Sequence, residues 1–88
     1  MFEAEVTDIR EASRQQGRSV WQISLSHTEF TPGAIGVLEA TARSGAKLEV
    51  PVLEVVRDEA GVTWHVTMKP LLEGTLVVGR VGERPVAS

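Results

Sequence analysis

The chain has 88 residues, no cysteine and a formal net charge of −3. That length makes one domain rather than two, and the missing thiol excludes a disulfide framework and a cysteine nucleophile. The mild acidity counts against the basic field that nucleic-acid binders usually carry.

No apolar run nears the ~20 residues that cross a bilayer, so no membrane partner is expected. The start, MFEAEVTD, is acidic and alternating, without the basic flank and apolar core of a signal peptide. A cytoplasmic location is the expectation that follows. A domain of this size buries roughly 60–65% of its unfolded surface, so its stability is modest and a dimer interface would add to it.

Phe2, Ala4 and Val6 alternate with Glu3, Glu5 and Thr7, the period-two pattern of a half-buried strand. The parity slips near Ile9, as at a β-bulge. Glu11–Arg18 (EASRQQGR) is polar and reads as a loop. In Val20–Ser26, Trp21, Ile23 and Leu25 share one face, so this is a second strand, pairing with the first as a hairpin.

Residues 32–43 carry conflicting signals. Thr31 suits a helix cap, Pro32 the first helical position, and Ser44-Gly45 a helix end. Ile35, Leu38 and Ala42 then share a face, and a short helix is the leading expectation. The rival reading is a strand over Ile35–Arg43 turning at Ser44-Gly45; Gly33 and Gly36 weigh on its side, because each costs about 0.5–1 kcal/mol in a helix.

Leu48–Met68 is the centre of the chain. Leu48 to Val56 is apolar on both parities, so the strand is covered on both sides or swaps faces at a bulge. Pro51 cannot donate a ladder bond and marks an edge, a bulge or the start of regular pairing. Asp58-Glu59-Ala60-Gly61 is a hairpin loop. In the next strand Val62, Trp64, Val66 and Met68 alternate with Thr63, His65, Thr67 and Lys69, which predicts an apolar inner face and a polar outer stripe. To keep Glu54 out of the core, Arg57 should face Val62, Val55 face Trp64 and Leu53 face Val66.

Lys69–Gly74 is a connection broken by Pro70, Thr75–Val81 the last strand, and 82–88 a tail after a single β-rich domain at 1–81. The fold expected is mainly β (α+β): a small antiparallel sheet or partly open barrel of about five strands with one helix near 32–43. An all-β six-stranded barrel is the alternative. Strands that are apolar on both faces need a second layer, a barrel's curl or another copy of the chain.

The run EVTDI at 5–9, then GRSV at 17–20 and LLEGTLVVGRV at 71–81, resembles the second, β-barrel domain of translational GTPases. The resemblance implies a small barrel. The Gly-Asp pair that follows a V-x-x-G segment in those domains is missing here, and a helix at Thr31–Gly45 is foreign to that barrel, so no residue role is carried over.

Chemistry-bearing residues are sparse. His27, Glu29 and His65 are the one set that could hold zinc, but His65 is far along the chain, and no metal or cofactor is expected. Ser24, Ser26, His27 and Glu29 are neighbours whose side chains diverge along a strand, and no G-x-S-x-G elbow is present, so no enzyme is expected. Gly33-Ala34-Ile35-Gly36 lacks the rest of a phosphate loop. Trp21 and Trp64 lie on apolar faces and read as core. The candidate binding surface is the stripe Thr63, His65, Thr67 and Lys69.

The functional expectation is a non-enzymatic accessory module that binds a protein partner and self-associates as a homo-oligomer. One alternative is a nucleic-acid-binding barrel using Arg10, Arg14 and Arg18 near the first loop together with the outer stripe; Arg80 and Arg84 sit near the C-terminus. The other is a small-molecule or metal-binding domain around His27 and His65.

Overall fold

A computed structural model describes residues 1–42 and 44–82. Seven strands form one antiparallel sheet: β1 (Phe2–Gln15), β2 (Arg18–Leu25), β3 (Gly36–Thr41), β4 (Lys47–Val52), β5 (Glu54–Arg57), β6 (Thr63–Thr67) and β7 (Leu76–Val81). Their order across the sheet is β4-β3-β7-β1-β2-β6-β5. No helix occurs among the described residues, and so none is long and apolar enough to cross a membrane. The tail expected at 82–88 lies, beyond Gly82, outside the described residues, as do Arg84 and Arg43.

The two edge strands are consecutive in the chain, with only Leu53 between them. The Leu53 amide donates to the Val66 carbonyl, 2.9 Å away, holding this corner against β6. A sheet with no second layer can dry one face only by wrapping around it. The side chains of Phe2, Val6, Ile23, Leu38, Val50 and Val55, drawn from five of the strands and both edges, are all buried in one cluster. The result is a partly open barrel. With β4 and β5 taken as one bent strand, six strands surround the core.

Leu53 is where the faces swap. Val52 and Val55 both point inward across it, while Leu53 itself is 50% exposed. That break explains why this run is apolar on both parities.

The helix expected near 32–43 is replaced by β3, which pairs with β4 on one side and β7 on the other. Phe30 supplies the reason. A Cβ on Gly36 would run into the Phe30 ring and the Arg80 carbonyl oxygen. Gly79 is likewise filled by the ring of Phe2. Together with Ala4 and Ala40, these small inward positions make room for two phenylalanines in a narrow barrel. What weakens a strand locally is here what the core needs.

The segment EASRQQGR is also strand rather than loop. β1 runs on to Gln15 and turns through Gln16 and Gly17, whose φ values of 52° and 76° make a two-residue hairpin turn. Bulges interrupt the β1–β2 ladder between Val6 and Asp8 and between Glu11 and Ser13.

The β5–β6 hairpin turns at Asp58–Gly61 as expected, but one residue out of the expected register. Arg57 faces Thr63, Val56 faces Trp64, Val55 faces His65 and Glu54 faces Val66. Glu54 stays exposed because the Trp64–Val66 side of β6 is the outer side. Parity is imposed by the neighbours: Ile23 on β2 and Val55 on β5 both point inward and both pair with His65.

Candidate functional site

The inward turn of β6 takes apart the expected polar stripe. His65 and Thr67 are 0% exposed, Thr63 is half-buried, and only Lys69 lies open to solvent. Thr67 Oγ1 donates to the Lys69 carbonyl at 2.8 Å, so its hydroxyl is satisfied within the chain.

His65 is bonded at both ring nitrogens. Nδ1 lies 2.7 Å from the Ile23 carbonyl oxygen, which can only accept, so Nδ1 carries the proton. Nε2 then accepts from the Thr28 hydroxyl at 2.8 Å, and Thr28 Oγ1 in turn accepts the Phe30 amide at 3.0 Å. The Phe30 ring meets the imidazole edge-on with centroids 5.1 Å apart. Burial pushes the His65 pKa below the ordinary imidazole value, with the Ile23 carbonyl opposing that shift. A neutral, enclosed imidazole with both nitrogens occupied is a fastener for the segment around Phe30. It leaves no lone pair for a metal or a substrate proton.

The zinc set is not assembled. His27 is exposed and rests edge-on against Phe2, with centroids 5.5 Å apart, and Glu29 is exposed. Among the described residues no three His, Asp or Glu side chains gather at one point. Ser24 Oγ shares a 2.8 Å hydrogen bond with Thr7 Oγ1, and Ser26 Oγ accepts the Glu5 amide at 3.0 Å. Both serine hydroxyls thus tie the β1–β2 hairpin together.

Trp21 lies half-buried on the inward side, but Trp64, buried too, stands on the outer face. Its indole Nε1 donates to Asp58 Oδ2 at 2.9 Å, and the Arg10 guanidinium lies 4.0 Å above its ring. Asp58 Oδ1 accepts the amides of Ala60 and Val62, each at 2.9 Å. These bonds, led by the one from Trp64, hold the Asp58 carboxyl below its usual range. Arg10 also donates from Nε to Gln22 Oε1 at 2.6 Å, and Arg14 pairs with Glu11 at 3.2 Å. Of the three arginines near the first turn, two are engaged by neighbours.

A second polar network crosses the outer face of β4, β3 and β7. Glu39 and Glu49 stand directly opposite one another, a repulsive placement for like charges. Arg80 resolves it, with Nη1 3.1 Å from Glu39 and Nη2 2.9 Å from Glu49, while Lys47 lies 3.7 Å from Glu39. The Arg80 contact is what holds the Glu39 carboxyl below its ordinary value.

The feature that sequence reasoning missed lies where β4 meets the segment 70–76. β4 pairs with β3 on one side only. At the Thr41 end of β3 and the Lys47 end of β4, a cleft of about 1090 Å3 separates these two strands from Pro70–Leu76. Leu71 is buried, yet Leu48, Leu72 and Leu76 on the cleft walls are 43%, 78% and 67% exposed. Lys47 stands on the β4 wall and Glu73 on the other. The available signal was Leu71-Leu72 directly after Pro70: a connection has no use for two adjacent leucines unless one turns in and the other out. Comparison with protein families, with curated proteins and with solved structures finds no match for this chain, so the likeness to the translational GTPase barrel domain gains no support there.

Proposed function

We propose that this chain is a non-enzymatic interaction module that self-associates through the cleft between β4 and segment 70–76. The observation that carries the reading is the gathering of Leu48, Leu72 and Leu76, all open to water, in one concave surface. Large apolar side chains scattered singly over a surface need no explanation, whereas several in one groove signal a contact. A second copy suits the cleft because its walls carry opposite charges, Lys47 on β4 and Glu73 on segment 70–76. In a two-fold interface both copies present the same surface, so it must complement itself, and a surface that carries both signs of charge can do so. The locked state of His65 and the separation of His27 and Glu29 favour a binding role over a catalytic one.

Sedimentation velocity over a dilution series in the micromolar range tests this. A concentration-dependent dimer is expected, and Leu76→Asp should convert it to monomer without lowering the unfolding midpoint of the monomeric protein. A wild-type chain that stays monomeric throughout the series sinks the reading.

A further inference from the structure

Resting on that self-associating reading, we infer that two copies join edge to edge through β4, antiparallel, with Leu48 on the two-fold axis, continuing the sheet from one barrel into the next. Four observations lead there.

The first is the open edge itself. The β5–β6 ladder reaches Leu53, whose amide bonds Val66, and goes no further. Pro51, next along, has no N–H to offer, and β6 ends at Thr67. Among the described residues no strand therefore pairs with the other side of β4 from Lys47 to Val50, and exposed strand edges are templates for pairing. The second is space. The cleft of about 1090 Å3 opens at the Lys47–Leu48 end of β4, and among the described residues β6 comes near β4 without pairing with it.

The third is charge register. Directly opposed residues of an antiparallel pair share a face. Centred on Leu48, the pairing puts Lys47 of each copy opposite Glu49 of the other on the outer face, twice over. Glu49 remains accessible for this even while bonded to Arg80, because a carboxylate accepts at both oxygens. Centred on Glu49 instead, like charges would meet and Pro51 would oppose Lys47. Centred on Val50, Pro51 would oppose Glu49 within the ladder. A register pairing Leu48 with Glu49 would set a leucine of the inner face beside a carboxylate.

The fourth is the apolar complement. In the Leu48-centred register the two Leu48 side chains meet on the cleft side, beside the exposed Leu72 and Leu76 of both copies. Pro51 then limits the shared ladder at each end, which keeps the junction short and closed at two copies. An open, repeating stack would need a second free edge, and β5, the other margin, carries Glu54 and Arg57 in the open.

The chain has no cysteine, so one introduced thiol reports on this geometry alone. Opposed residues across an antiparallel pair have Cα atoms about 4.5–5.5 Å apart, within the span of a disulfide. Leu48→Cys in the full chain, oxidised with glutathione disulfide at micromolar concentration, is expected to give a covalent dimer about tenfold faster than Arg57→Cys, placed on the exposed β5 edge. Sedimentation of the wild-type chain is read alongside. A wild-type dimer whose Leu48→Cys variant links no faster than Arg57→Cys overturns the edge pairing and leaves self-association standing. A wild-type chain that remains monomeric overturns both. A dimer that forms only after a second, unrelated protein is added overturns both as well, and assigns the cleft to that partner.

Discussion

The two ends of β3 meet the solvent in opposite ways. At the Gly36 end the barrel is shut by Phe30, whose ring fills the place of a Gly36 side chain and packs edge-on against Phe2 and His65. Its approach is fixed by three hydrogen bonds in series, from the Phe30 amide to Thr28, from Thr28 to His65, and from His65 to Ile23. At the Thr41 end Leu71 also enters the core, but Leu72 and Leu76 beside it are left in water. One end is closed by ring packing and directional bonds; the other is closed only to the depth of one leucine. The difference separates residues that hold the fold from residues free to meet a partner.

That contrast can be broken by experiment. Phe30→Ala should be the most damaging change, costing about 3–5 kcal/mol, because it empties a fully buried aromatic site. Chemical denaturation measures it, and a loss below 1 kcal/mol would mean that Phe30 does not close its end. Gly79→Ala should cost about 1–3 kcal/mol by driving a methyl group into the Phe2 ring. In a Phe2→Leu background the same change should cost less, and strict additivity in that cycle would show that the ring is not the obstacle.

The acid response of the closed end comes next. Because burial depresses the folded-state pKa of His65, the unfolded chain binds a proton more readily below about 6.5, the ordinary imidazole value. Stability from this group is therefore full above that pH and declines as the pH falls below it, by at most about 1.4 kcal/mol per pH unit. Ring resonances of His65 followed by NMR should show it still neutral in the folded protein at a pH where a free imidazole has begun to protonate. An imidazole protonating at or above its free value would contradict the enclosed arrangement. The smallest effect belongs to the open end, where Leu72→Ser should leave the monomer's stability within about 0.5 kcal/mol. A larger loss would place Leu72 in the core after all.

Much of the fold was legible because it is written in short-range patterns. The β1–β2 hairpin, the Asp58–Gly61 turn and the final strand all follow from alternation, glycine and proline, and the face swap at Leu53 is one of the two readings that the apolar run Leu48–Val56 allowed. What the pattern could not convey was which side of β6 faces in. Alternation puts Trp64 on one side and His65 on the other, and the transfer cost of a lone imidazole favours the tryptophan inside. The partners that cancel this cost, Ile23 and Thr28, are 42 and 37 residues away in the chain. Trp64, for its part, is satisfied outside by Asp58 and Arg10. Residues 32–43 misled for a related reason: the cap residues speak locally for a helix, while the need for a bare Gly36 under Phe30 arises only once the barrel has closed. The candidate surface suffered most, since a stripe counted along one strand turned out to be half interior, and the exposed leucines come together only through the path of segment 70–76.

Leu53 has a consequence for how the barrel comes apart. An ordinary sheet loses its outermost strands first, and exchange of amide protons runs as a gradient from rim to middle. Here a single peptide run supplies both rims, so neither can peel away without dragging the other across the molecule. Opening is then all-or-none around the ring, and one cut in the backbone at this exposed corner would release two margins at once and unroll the tube.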